Sequence, residues 1–167
     1  DVVFRHSKLS RLIDASDGSI LSNTTRITLN KILTPVLNTV TQYVIDFNNP
    51  LYNPHTGHNR AMGGITSSTG FTISTNTNTL FLDDDGIGNI RTYYLVGGTT
   101  RNYVDSTAGT IDYATGKIVL TDLTITSVVG SSISIDILPA SNDIVSVRNQ
   151  LLELDMGNTS VDGTVDI

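Results

Sequence analysis

The chain has 167 residues, with 10 basic against 16 acidic side chains, a formal net charge of −6 and no cysteine. Disulfides and thiolate metal sites are therefore excluded. An acidic surface repels nucleic-acid phosphate, and the tightest basic group, Arg5, Lys8 and Arg11, has no interleaved aromatics, so nucleic acid is not expected as a partner. No stretch approaches the roughly 18 apolar residues of a membrane helix, and no membrane partner is expected. The start at Asp1 without Met, with Arg5, His6 and Lys8 breaking the apolar run Val2-Val3-Phe4, does not fit a signal peptide. It reads as a boundary inside a longer chain.

Composition points to the fold. Of the acids, 15 are Asp, and Glu153 is the single Glu; Lys occurs three times and Gln twice. Thr occurs 24 times, and Asn and Gly 14 times each. The straight-chain polar residues that keep helix surfaces helical are scarce, and β-branched residues and turn formers replace them. The expected fold is mainly β, or α+β with one or two short helices. Short antiparallel strands and hairpins would form a sandwich-like module at 51–138, between segments 1–50 and 139–167 that pack together.

In chain order, Leu9, Leu12 and Ile13 have helical spacing, which Ser16-Asp17-Gly18-Ser19 breaks, so the segment reads as the end of a helix or an irregular entry segment. From Thr25 to Leu33, Ile27 and Leu29 alternate as in a strand, while Ile32 and Leu33 fall out of phase, suggesting a bulge or bend. Tyr43, Ile45 and Phe47 alternate with polar neighbours, as a half-buried strand requires; only Val44 departs from the pattern. Residues 48–70, with two Asn-Pro pairs and Gly63-Gly64, form a long polar connection.

Hairpin signals follow. Phe71 and Ile73 mark a short strand, and Leu80–Leu82 and Ile90–Val96 flank an acidic turn from Asp83 to Asn89. Thr110–Tyr113 and Lys117–Leu120 flank Ala114-Thr115-Gly116, with Gly placed for positive φ. Leu123 and Ile125 alternate with polar residues, and Ile133, Ile135 and Ile137 give the cleanest strand pattern. Beyond Pro139, Ile144, Val147, Leu151 and Leu152 share a helical face, whereas Leu152, Leu154 and Met156 share a strand face. Periodicity does not choose between them. The tail with Val161, Val165 and Ile167 reads as an edge strand or arm.

Each cluster of reactive residue types lacks part of what its chemistry requires. His55-Thr56-Gly57-His58 is the most metal-like pair, but Pro54 and Gly57 argue for a solvated loop, and no third ligand is marked by spacing. In a calcium-loop register from Asp83, Asp85 and Gly88 fit, but Ile87 and Tyr94 fall where oxygen ligands are required. A plain acidic turn is the better reading. Gly86-Ile87-Gly88 lacks the third glycine and the βαβ setting of a dinucleotide fingerprint. A catalytic triad would need His6, His55 or His58, none with an identifiable partner, and the lone Glu153 lies in an apolar run. No catalysis, metal or cofactor is expected. Asn23-Thr24-Thr25 and Asn158-Thr159-Ser160 match glycosylation sequons, as chance would produce in an Asn- and Thr-rich chain. Tyr93-Tyr94-Leu95-Val96 reads as a core strand with tyrosine edges reaching solvent rather than an exposed aromatic surface.

Three phrases together resemble the C-terminal part of the baseplate wedge subunit that forms the inner ring in T-even-type contractile-tailed phages. They are Ile13-Asp14-Ala15-Ser16-Asp17-Gly18, the run from Ala108 to Ile118, and Pro139-Ala140-Ser141-Asn142-Asp143-Ile144 with Arg148-Asn149-Gln150 after it. The resemblance implies a virion structural protein, made in the host cytoplasm and located in the tail baseplate. It implies self-pairing as a homodimer and binding to other wedge proteins, so that copies close a ring around the tail hub. Leu151, Leu152 and Leu154 are the expected contact residues, as an apolar run that a partner would cover, the alternative being that they lie in this domain's own core. The alternative is a receptor- or glycan-binding β module of a tail fibre or adhesin, against which the absence of Trp counts.

Overall fold

The computed structural model describes residues 3–58, 64–146 and 152–164. Its architecture is mainly β, 47% strand and 8% helical, with antiparallel sheets and a small barrel-like sandwich. Strand β1 (Val3–Phe4) leads into the helix α1 (His6–Asp14), followed by β2 (Leu29–Leu33) and β3 (Val40–Asp46). Then come β4 (Thr66–Ser68), β5 (Phe71–Ile73), β6 (Asn76–Asp84), β7 (Asn89–Val96), β8 (Thr100–Asp112), β9 (Lys117–Val128), β10 (Ile133–Ile137) and β11 (Ile144–Val145).

Strand β9 organises the larger sheet. Its first residues, Lys117–Leu120, pair with β8 on one side and β3 on the other, and its last, Ile125–Val128, pair with β5. The order β3-β9-β5-β6-β7-β8, with β8 returning to β9, closes all but β3 into a small barrel. One strand can serve both ends because it bends. Between Leu120 and Leu123 it carries one more residue than β3 does between Tyr43 and Thr41, and Asp122 there has φ 52°. An extra residue opposite an unbulged partner kinks a strand and increases its twist.

The second sheet has the order β2-β10-β4. Ile133, Ile135 and Ile137 of the central β10 are fully buried, alternating with half-buried Ser134 and Asp136. They join Phe71, Leu80, Leu82, Ile90, Ile118, Leu120 and Ile125 in one core, as strand periodicity demands. Each such side chain contributes about 1.5–3 kcal/mol by leaving water. Strand β2 is shorter than the sequence suggests and carries no bulge: Leu29 through Leu33 pair in regular register with Ile137 through Ile133. Leu29 and Leu33 share the inward parity, so Ile32 is simply an outward residue, 70% exposed. Val44 is outward on β3 for the same reason, between buried Tyr43 and Ile45.

The strands of residues 1–50 thus share both sheets with those of 51–138, and β1 pairs with β11. Buried Asn49 strengthens the seam by imitating a strand. Its amide donates to Val145 O at 3.1 Å and accepts from Val145 N at 3.0 Å. The β8–β9 hairpin presses on the same place. Gly116, at φ +79°, lies against the Asn49 backbone so closely that a Cβ would overlap the Asn49 carbonyl.

Helix α1 buries no residue fully and borrows its N-terminal cap from a remote position. The Asp143 carboxylate accepts from His6 N at 2.9 Å and pairs with the Arg5 guanidinium at 2.9 Å. After the helix, Asn23 donates to Ser10 O and the Asp14 carboxylate, tying the returning chain to it. Residues 152–155 form neither helix nor strand, and Met156–Asn158 make one 3-10 turn with Asp155 accepting from Gly157 N and Asn158 N. Val161 is exposed and in no ladder; Val147, Arg148, Asn149, Gln150, Val165 and Ile167 lie outside the described residues.

Ile135→Ala is expected to cost about 2–5 kcal/mol of unfolding free energy, while Ile32→Ala should stay within about 0.5 kcal/mol; urea midpoints measure both. The hydrogen bonds from Arg5 and from His6 N hold the Asp143 carboxyl below its ordinary 3.8. A depressed folded value means that this contribution is present above pH 3.8 and is lost as pH falls through the lower folded value. Hydrogen exchange at the His6 amide should therefore accelerate below that pH in the wild type, beyond the intrinsic rate. In Asp143→Asn the acid-dependent step should vanish.

Candidate functional site

The acidic turn is a buried polar centre. Asp83 and Asp84 are 0% exposed, and Asp85 is nearly as buried. Strand alternation sends consecutive side chains to opposite faces, so the carboxylates of Asp83 and Asp84 do not converge. Each meets its own set of protein donors. Asp83 receives Arg91 Nε at 2.8 Å, Arg101 Nη1 at 2.7 Å and the Tyr103 hydroxyl at 2.9 Å. Asp84 receives Ile65 N at 2.6 Å, Thr66 N at 2.8 Å and the Tyr113 hydroxyl at 2.8 Å. Asp85 receives Ile87 N and Asn89 N, both at 2.9 Å, and the Asn89 amide at 2.6 Å.

Burial pushes the Asp83 carboxyl above its ordinary value, against the pull of Arg91, Tyr103 and Arg101. Burial also opposes ionisation of Asp85, but the Asn89 side chain and the N–H groups of Asn89 and Ile87 outweigh it and hold the carboxyl low. Burial, with the Asp84 carboxylate beside it, keeps the Tyr113 hydroxyl protonated far above the usual tyrosine range. That fixes Tyr113 as a donor. Gly64, at φ +76°, completes the enclosure of Asp84, because a Cβ there would overlap the carboxylate. Chemically, Asp84 ties the barrel to the 64–66 segment, Asp83 ties β6 to β7 and β8, and Asp85 closes the turn.

On the outer side, the Arg91 guanidinium lies 4.3 Å from the Tyr103 ring centre and that of Arg101 lies 4.6 Å from the Tyr93 ring centre. Phe81 and Tyr93 stack at 5.7 Å, giving a ladder of rings and cations across β6, β7 and β8. The run Tyr93–Val96 divides: Tyr93 is buried, Tyr94 half-buried, and Leu95 and Val96 exposed. Residues 100–107 of β8 are exposed on both faces, so the β7–β8 ribbon extends past the core. The sequence reading started this strand only at Thr110, because residues 100–107 are mostly polar and carry no apolar alternation to mark a strand.

Of the expected contact residues, Leu152 and Leu154 are 45% and 65% exposed, and Leu151 lies outside the described residues. Exposed apolar side chains also concentrate along residues 32–44, where Ile32, Val36, Leu37, Val40 and Val44 all face outward. These sit on β2 and β3, the outermost strands of their sheets, and on the link between them. The Tyr43 hydroxyl holds that link by bonding both Val36 N and Val36 O. The histidines are placed apart: His6 Nε2 is 3.0 Å from Thr25 O, while His55 and His58 adjoin one another. Comparison with protein-family models, curated proteins and solved structures gives no match.

Asp84→Ala would strand two buried N–H groups and a hydroxyl, and is expected to cost roughly 3 kcal/mol or more. Tyr113→Phe removes one donor and should cost about 1–2 kcal/mol. Equal midpoints for the two variants in chemical denaturation would contradict this account.

Proposed function

We propose that this chain is a virion structural module, a piece of a baseplate wedge subunit that pairs with a second copy of itself and binds neighbouring wedge proteins. One observation carries the reading. The described surface exposes large apolar side chains along 32–44 and at Leu152 and Leu154, while the charged groups of the acidic turn are committed to internal structure. Isolated exposed hydrophobes are ordinary, but a run of them on outermost strands is costly in water unless another surface covers it. The resemblance in the phrases around Asp14, Asp112 and Asn142 supports placing that surface in a phage baseplate ring. Such a module acts without catalysis: a self-complementary patch generates closed symmetry, and buried apolar area holds the ring.

A second reading, a glycan- or receptor-binding module, draws support from the half-exposed Tyr103 ring in the ladder of β6, β7 and β8. Sedimentation separates the two. The wild-type chain should sediment as a homodimer, and Val40→Asp with Val44→Asp should shift it to monomer while leaving the circular dichroism spectrum unchanged. A monomer at every concentration would overturn the self-pairing. Saturable oligosaccharide binding lost in Tyr103→Ala would favour the second reading.

A further inference from the structure

A reverse turn brings the two histidines of the 48–70 connection together. His58 N donates to His55 O at 3.0 Å, closing a four-residue turn, and Gly57 at φ +78° occupies the third position, where a type II turn requires a positive φ. The first and fourth residues of such a turn stand close, so the spacing that serves an ion on a helix also serves it here. The His55 Nε2 and His58 Nδ1 atoms lie 3.2 Å apart, with ring planes 86° apart.

The pair is held in place from outside. Gly57 N donates to Gly86 O at 2.7 Å, pinning the tip to the β6–β7 turn, and the Gly57 Cα faces the Ile87 side chain. Tyr52 packs edge-on against His58 at 5.3 Å. Pro54, immediately before His55, restricts the chain leading in. Two adjacent vertices of a tetrahedron around zinc, with Zn–N of about 2.0–2.1 Å, are roughly 3.3–3.4 Å apart. The observed nitrogen separation is within a small ring rotation of that edge.

We infer that His55 and His58 form a bidentate site for a late first-row divalent metal ion, zinc or copper, on the turn beside Ile87. Binding the ion breaks the N–H···N hydrogen bond between the rings: both nitrogens offer lone pairs to the metal, and the ring that had donated carries its N–H on its other nitrogen instead. His55 and His58 are exposed, and among the described residues no third His, Asp or Glu joins them, so water fills the other coordination positions there. Two imidazoles select copper over zinc in the usual divalent order.

Isothermal titration of the full chain with zinc chloride and with copper chloride tests this. One equivalent should bind saturably at micromolar metal, copper the tighter. His55→Ala and His58→Ala should each weaken binding ~10-fold or more. His6→Gln, which alters the remaining histidine, should leave it unchanged. Copper-loaded protein should show nitrogen hyperfine coupling from two imidazoles in its electron paramagnetic resonance spectrum, reduced to one in each alanine variant. The site is rejected if binding is absent, needs millimolar metal, persists in both alanine variants, or disappears in His6→Gln.

Discussion

Asp84 is the group on which the rest of the structure depends. It is a carboxylate with no access to water, placed at the end of β6, and its oxygens accept two backbone N–H groups from residues 65 and 66 and one hydroxyl from Tyr113. An unpaired charge in that position would be far too costly to keep. Its donors come from the segment leading into β4 and from the β8–β9 hairpin, so satisfying one charge fixes three regions of chain. The small sheet, through β4, is thereby registered against the barrel. Asp83 and Asp85 extend the same logic, one to β7 and β8 and the other to the turn itself.

This explains why so acidic a stretch sits in a β protein with a modest core. Three like charges in succession would repel if they shared a face. Alternation separates Asp83 from Asp84, and turn geometry directs Asp85 inward to the N–H groups of residues 87 and 89. The two guanidiniums around Asp83 answer its charge in the same enclosed space, where an ion pair holds only if the remaining lone pairs are satisfied. The Tyr103 hydroxyl does that. The opposite signs of the pH response follow: Asp85 favours the folded state more as it ionises, while the raised Asp83 works the other way.

Much of this was legible from residue order. The alternations at Tyr43–Phe47, Phe71–Ile73, Leu123–Ile125 and Ile133–Ile137, the helix around Leu9–Ile13 and the hairpin closed by Gly116 all stand where period and turn chemistry put them. Less legible were features set by partners distant in sequence. The parity of Ile32 depends on pairing with Ser134, and the cap of α1 depends on Asp143. Asp83 to Asp85 read as part of a plain acidic turn, whereas Asp83 and Asp84 end strand β6; nothing local announces that Arg91, Arg101 and Tyr113 will enclose them. The His55–His58 contact was hidden for a different reason: that spacing signals proximity on a helix, and a glycine-centred reverse turn provides it too.

Strand β9 has a kinetic consequence. It hydrogen-bonds to β3, β5 and β8, and β2 cannot pair until β10 has been made, with Leu29 opposite Ile137. During synthesis, the first strands therefore wait for the ribosome to deliver residues some hundred positions later before one edge of each is paired. Loops that long close slowly, and chains dominated by such distant pairings fold in the millisecond-to-second range rather than in microseconds. Until then β2 and β3 lack even the one neighbour each has in the finished sheets, β10 and β9, and that is when this protein is most open to wrong association.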